Sequence, residues 1–142
     1  MPARRWAAIK EERQMGLNPC GEIYLRSKQF CNLTSIVIRP KDTVATLKRK
    51  MELATLLGTY QSTLTNFGYL SKKWKEYCEE ERLLRVSLTG YYDNPIVRDD
   101  KVLDNLKADS IETNKKYAKR FGINLSTAIT CVKPHGNSGQ LL

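Results

Sequence analysis

At 142 residues and 16.3 kDa the chain has the length of one domain and can bury a core of its own. With 41% hydrophobic and 27% charged residues, 8 Gly and 5 Pro, it has a soluble globular profile, which excludes a collagen-like chain, a disordered tail and a disulfide mini-scaffold. The formal charge is +9, from 11 basic against 5 acidic residues in 1–71 and 13 against 10 in 72–142, so the excess is spread along the chain. Such a surface favours anionic ligands such as nucleotides, polyphosphates or nucleic acid, with a merely solvated face as the plain alternative. No apolar stretch approaches the roughly 20 residues of a bilayer span. The first residues, Met1-Pro-Ala-Arg-Arg-Trp-Ala-Ala-Ile9, lack the long apolar run of a secretory signal, so the expected compartment is the cytoplasm.

Residues 1–15 read as a lead-in, and Gly16 to Glu22 as a turn region. Two extended pieces follow, Ile23-Tyr24-Leu25 and Leu33 to Ile38, the second β-branched. Asp42 is placed to cap a helix reaching about Asn66, with Val44, Leu47, Met51, Ala54 and Leu57 at helical spacing and Leu53, Leu56 and Leu64 beside them. Gly58 either breaks this helix or serves close packing, and Gly68 suits the position after its end. Ser71 to Arg82 reads as mixed helix and loop, and Leu83 to Thr89 as an apolar strand closed by Gly90. Asp99 is placed to cap a helix through Leu103, Leu106, Ser110, Tyr117 and Phe121, stopped by Gly122. Ser126 to Val132 is a third strand candidate. Strand, helix, strand, helix, strand is the pattern of parallel β/α units, so the fold class is α/β. The strands read as buried on both faces.

Cys20, Cys31, Cys78 and Cys131 are 11, 47 and 53 residues apart, and His135 is the only histidine. No C-x-x-C pair occurs, which argues against a zinc site, and without a secretory signal structural disulfides are not expected. In Asn18-Pro-Cys-Gly-Glu22 an extended backbone would point an amide, a thiol and a carboxylate the same way. An amide holds a hydroxyl, a carboxylate takes its proton, and a thiol does nucleophilic or radical chemistry. Cysteine-protease chemistry fits poorly, because the histidine lies 115 positions away. Cys31, at the mouth of a strand, could face the same cavity or be a small buried hydrophobe. Cys78 and Cys131 read as packing residues. After the last strand candidate, Lys133-Pro-His-Gly-Asn-Ser-Gly139 offers backbone N–H groups to a phosphate, although its spacing is not that of a Walker A loop.

Five segments in order, Asn18-Pro-Cys-Gly-Glu-Ile23, Phe30-Cys-Asn-Leu33, Leu57-Gly-Thr-Tyr-Gln-Ser-Thr-Leu64, Glu81 to Gly90 and Lys133-Pro-His-Gly136, resemble the catalytic barrel of ribonucleotide reductases. The adenosylcobalamin-dependent class is the nearest in kind, since it typically places a second redox cysteine 11 residues after the radical cysteine; a reductase served by a metal-bearing partner subunit also fits. The resemblance implies that residues 16–142 are part of a ten-stranded α/β barrel whose finger loop carries the radical thiol. By match to the motifs, Cys20 is the thiyl-radical residue, Glu22 the general base on the 3′-hydroxyl, Asn18 the amide that positions the substrate hydroxyls, and Cys31 one of two thiols that reduce the 2′ position. Gly136, Asn137 and Ser138, with His135 beside them, fall on the substrate-phosphate loop.

The chain departs from that pattern at Arg85, where the family usually has Gly, and at His135 and Gly139, where serines are common. It is also several times shorter than the family's chains. The other redox thiol, the regulatory nucleotide site, most of the cobalamin surface and the C-terminal thiol pair have no counterpart here. The expectation is therefore an internal fragment of a di- or triphosphate reductase serving DNA synthesis, inactive alone. Its implied partners are a ribonucleotide, adenosylcobalamin, the missing barrel halves and a thioredoxin-like or glutaredoxin-like reductant, with no membrane. The alternative is a non-catalytic basic α/β module binding nucleotides or nucleic acid. Against nucleic acid, Lys and Arg do not gather with aromatics on one face.

Overall fold

The structure is a computed structural model that describes residues 15–133. The lead-in expected before Gly16 lies outside these residues except for Met15, as do His135, Gly136, Asn137, Ser138 and Gly139. Strands β1 (Met15–Leu17) and β2 (Tyr24–Arg26) form an antiparallel hairpin, with Met15 opposite Arg26 and Leu17 opposite Tyr24. The expected turn region is thus half strand, and its Asn18–Ile23 part is the loop of the hairpin. Strands β3 (Asn32–Val37) and β4 (Leu84–Thr89) pair in parallel from Asn32–Leu84 to Val37–Thr89. Between them run helices α1 (Val44–Gln61) and α2 (Lys72–Glu81); after β4 come a 3₁₀ turn (Pro95–Arg98) and α3 (Asp100–Phe121).

The sequence of β4 alternates strictly: Leu84, Val86 and Leu88 on one face, Arg85, Ser87 and Thr89 on the other. Only the first face is apolar. It packs with Ile36 and Ile38 against Leu47, Met51 and Ala54 of α1 and Leu106 of α3, and Val97 and Ile129 complete the core. The expectation of strands buried on both faces holds for β4 from Leu84 to Ser87, although one of its faces is polar, and fails in β3, where Leu33 and Ser35 are exposed. The face turned away from the helices carries the Arg85 guanidinium and a pair of hydroxyls, Ser87 Oγ to Ser35 Oγ at 3.2 Å.

Thr43, not Asp42, is the N-cap of α1: its hydroxyl accepts from the Thr46 amide, and Thr46 Oγ1 accepts from the Thr43 amide in a capping box. Asp42 instead receives Thr46 Oγ1 at 3.0 Å and pairs with Lys50 at 2.5 Å, while Lys50 also donates to the Val37 carbonyl. Burial raises the Asp42 pKa, but these partners and the Arg39 amide outweigh it and leave the carboxyl below its ordinary value. The buried stripe of α1 runs Leu47, Met51, Ala54, Gly58 in 4-3-4 spacing. Val44, Leu53, Leu57 and Leu64 are exposed, so the expected stripe is wider than the buried one. The helix passes Gly58 unbroken and ends at Ser62, well before Gly68.

Helix α2 is regular where mixed structure is expected, and ends on Arg82 in the left-handed region at φ 45°. The limits of α3 follow the sequence: the Asp99 side chain accepts from the Lys101 amide at 2.9 Å, and Gly122 at φ 66° stops the helix. Buried Asn114 of α3 joins Thr59 of α1 and Ser126, each at 3.0 Å. The third strand candidate is reduced to one parallel bridge, Thr130 to Val86. The Leu84 and Val86 amides, two residues apart, reach carbonyls one residue apart, Ala128 and Ile129. That slip is a bulge, and it interrupts the ladder.

Two glycines give opposite predictions. A Cβ on Gly58 would stand 3.5 Å from Leu84 Cδ2, an ordinary contact, so Gly58→Ala should stabilise the chain by up to about 1 kcal/mol through helix propensity. A Cβ on Gly90, at φ 76°, would stand 2.6 Å from the Ile38 carbonyl oxygen, so Gly90→Ala should cost about 1–3 kcal/mol. Urea unfolding of the two variants checks both signs.

Candidate functional site

The Asn18–Ile23 loop is closed by its own backbone. The Asn18 amide donates to the Ile23 carbonyl at 3.0 Å, and the Gly21 amide to the Asn18 carbonyl at 2.9 Å. Gly21 takes φ 78°, which suits a residue without Cβ. The loop is therefore a turn and not an extended segment, and positions 18, 20 and 22 do not all point one way. Asn18 and Glu22 turn inward and meet, Nδ2 to Oε2 at 2.7 Å, and Asn18 Oδ1 accepts from the Ile23 amide. Cys20 is exposed at the tip.

The hairpin is moored at two points. Arg26 of β2 reaches Glu80 at 2.8 Å and Glu81 at 3.4 Å on α2 and lies 4.3 Å from the Tyr77 ring centroid. Gln29 donates to Glu81 at 2.6 Å and to the Tyr77 carbonyl at 3.2 Å. The second point is the loop itself: Glu22 Oε1 stands 2.5 Å from Arg85 NH1 on the polar face of β4, with both side chains about nine-tenths buried. Arg85, which departs from the family pattern, thus clamps the residue expected to be the base. The contact is an ion pair and not an aligned hydrogen bond, for neither Glu22 Oε1 nor Arg85 Nε has a hydrogen-bond partner among the described residues. Burial alone pushes the Glu22 carboxyl up. Its bond from Asn18, its own backbone amide and the charges of Arg85 and Lys133 outweigh burial and hold it below the ordinary 4.5.

Cys131, read from the sequence as a packing residue, is half-buried. Burial pushes its thiol up to about 12, eased by the positive charges of Arg85 and Lys133 and reinforced by Glu22 and Cys31, so it shares one electrostatic neighbourhood with all four. At neutral pH it is a thiol and not a thiolate. Cys31, half-buried, precedes β3 by one residue, and no disulfide joins it to Cys131. Cys78 is buried, with its thiol pushed up by desolvation, as a packing residue should be.

The structure therefore joins Asn18 and Glu22, sets Cys20 apart on the tip and places Cys31 at the mouth of β3. Sequence reasoning left Arg85 and Cys131 without a role. The polar-apolar alternation of Leu84 to Thr89 is the signal that marks Arg85 as facing away from the core. No group of three His, Cys, Asp or Glu side chains among the described residues could hold a metal, and no helix there is long and apolar enough to cross a membrane.

The ion pair predicts a pH effect of definite sign. A carboxyl with lowered folded pKa contributes stability above about 4.5, and that contribution is lost as pH falls through the lower folded value. Glu22→Gln should remove this acid-side loss and, by leaving Arg85 uncompensated, cost about 3–5 kcal/mol at neutral pH. Urea midpoints from pH 3 to 7 check it; equal pH slopes in both proteins would refute the assignment.

No protein-family profile matches the chain. Curated relatives do: the adenosylcobalamin-dependent ribonucleoside-triphosphate reductases of Lactobacillus delbrueckii subsp. bulgaricus and Lactobacillus leichmannii are 26% identical to it over 155 aligned residues, 89% of this chain. The chain spans about a fifth of their length, 21%. The crystal structure of a B12-dependent class II ribonucleotide reductase superposes with a TM-score of 0.70 and 22% identity, over 85% of this chain and 21% of that one. The superposition carries the α/β fold. In sequence and in fold, the chain resembles a segment of the adenosylcobalamin-dependent, class II ribonucleotide reductases.

Proposed function

We propose that this chain contributes the radical-thiol loop to an enzyme that reduces ribonucleotides to 2′-deoxyribonucleotides, and that it is inactive without the rest of the catalytic barrel. The observation that carries the reading is the loop that presents Cys20 at its tip and turns Asn18 and Glu22 inward above the polar face of β4. The 26% identity to reductases of this class supports it.

In this reading the Cys20 thiyl radical takes the hydrogen atom from C3′, forming S–H as C3′–H breaks. Glu22, a carboxylate at neutral pH, accepts the 3′-hydroxyl proton, and the Asn18 amide orients the hydroxyls. Cys31 and a second thiol outside this chain supply two electrons and two protons and end as a disulfide, the 2′-hydroxyl leaves as water with a hydrogen in its place, and the hydrogen atom held by Cys20 returns to C3′, which regenerates the thiyl radical. Adenosylcobalamin, when bound, supplies the one-electron oxidising equivalent for the thiol. Exposed Cys20 would meet it, and the remainder of its site would come from other parts of the barrel. The substrate-phosphate loop of His135, Gly136, Asn137 and Ser138, the barrel and its finger loop, the thiol reductant and a cytoplasmic setting belong to the same proposal.

Co-expression with the flanking barrel segments provides the test. Cys20→Ser should abolish deoxynucleotide formation with the fold intact, because a hydroxyl is a far poorer radical source than a thiol. Cys31→Ser should still exchange the 3′ hydrogen yet give no net product. Wild-type product formation by Cys20→Ser would refute the reading.

A further inference from the structure

Arg85 has more binding capacity than the Glu22 pair uses. The residue is 8% exposed and its NH1 faces Glu22, yet its Nε is fully buried and without a hydrogen-bond partner among the described residues. A buried guanidinium N–H left unbonded is expensive, and native proteins rarely tolerate one without a partner or ligand. The Nε side of a guanidinium is suited to two-pronged binding of an oxyanion.

The surroundings favour an anion there. Lys133 is close enough to Glu22 and to Cys131 to act on both, so the local charges are two cations against the one Glu22 carboxylate. Cys131 adds no negative charge at neutral pH.

We propose that Arg85, through its unused Nε side and with Lys133, forms an oxyanion site for a phosphate group on the polar face of the sheet. The phosphate could be free or part of a nucleotide; the recognising chemistry is the same. That it belongs to a nucleotide rests on the proposed function, whereas the site itself does not.

The test is equilibrium binding to the full 142-residue chain of inorganic pyrophosphate, a nucleoside diphosphate and the bare nucleoside. Both phosphate-bearing probes should bind and the nucleoside should not. Arg85→Ala should weaken binding at least tenfold, and Arg85→Lys less. Arg49→Ala, an exposed cation on α1, should leave it unchanged, which separates the site from the general charge of +9. Glu22→Gln should tighten binding several-fold, because it removes the competing carboxylate; a purely structural Arg85 would not give that sign. Circular dichroism verifies folding of each variant, and the Glu22→Gln result decides if Arg85→Ala fails to fold. Unchanged affinity in folded Arg85→Ala, or unchanged or weaker affinity in Glu22→Gln, would overturn the proposal. A preference for the nucleotide over pyrophosphate assigns the phosphate to a nucleotide, and equal affinities assign it to a free oxyanion. Failure of the reductase reading would show in Cys20→Ser turnover and leave these affinities untouched.

Discussion

The parallel pairing of β3 with β4 is the constraint on which the other features rest. Six residues of each strand are in register, and the alternation of β4 gives the pair one apolar and one polar face. The apolar face decides where α1 and α3 go, because Leu84, Val86 and Ile36 must be covered. The polar face decides which groups gather beneath the hairpin loop, because buried Arg85 and Ser87 demand polar company. A single strand sequence thus sorts the molecule into a packing side and a polar side.

The loop that bears Cys20 reaches the polar side through charge. A short two-stranded hairpin is barely stable by itself. Here Arg26 and Gln29 tie it to α2, and Glu22 ties its loop to β4. Burying an ion pair costs much of what the attraction returns, so the Glu22–Arg85 contact adds little net stability. What it contributes is position: it fixes the Glu22 carboxylate over the sheet, and with the Asn18 bond and the Glu22 backbone amide, which act more strongly, it holds the carboxyl below its ordinary pKa. The same contact moderates its basicity, since a carboxyl held below its ordinary pKa is a weaker proton acceptor.

Much of this architecture was legible in the sequence. The α3 limits followed from Asp99 and Gly122, whose capping and left-handed roles are local. The β3 and β4 segments and the core around Leu47, Met51 and Leu106 followed from residue type and helical spacing. The association of Asn18, Cys20 and Glu22 was visible as a motif. The errors also have local causes. Thr43 displaced Asp42 as the cap because Lys50 and the Arg39 amide hold the aspartate carboxylate. Leu57 is exposed because α1 turns its Ala54 and Gly58 side to the sheet, where small residues permit close approach.

Other properties are decided only by tertiary structure. Whether the Asn18–Ile23 loop is extended or turned depends on hydrogen bonds closed by the hairpin, and these separate Cys20 from Asn18 and Glu22. The slip that reduces 126–132 to one bridge depends on how two β4 amides meet a neighbouring strand. The pairing of Glu22 with Arg85 joins residues 63 positions apart. Its strength comes from burial, which no count of charges along the chain contains. The sequence by itself determined the two long helices, the β3 and β4 segments and the motif residues Asn18, Cys20 and Glu22, because periodicity and side-chain type are local. Only the tertiary structure decided which of those residues meet and in what charge state, because distance and desolvation are properties of the folded chain.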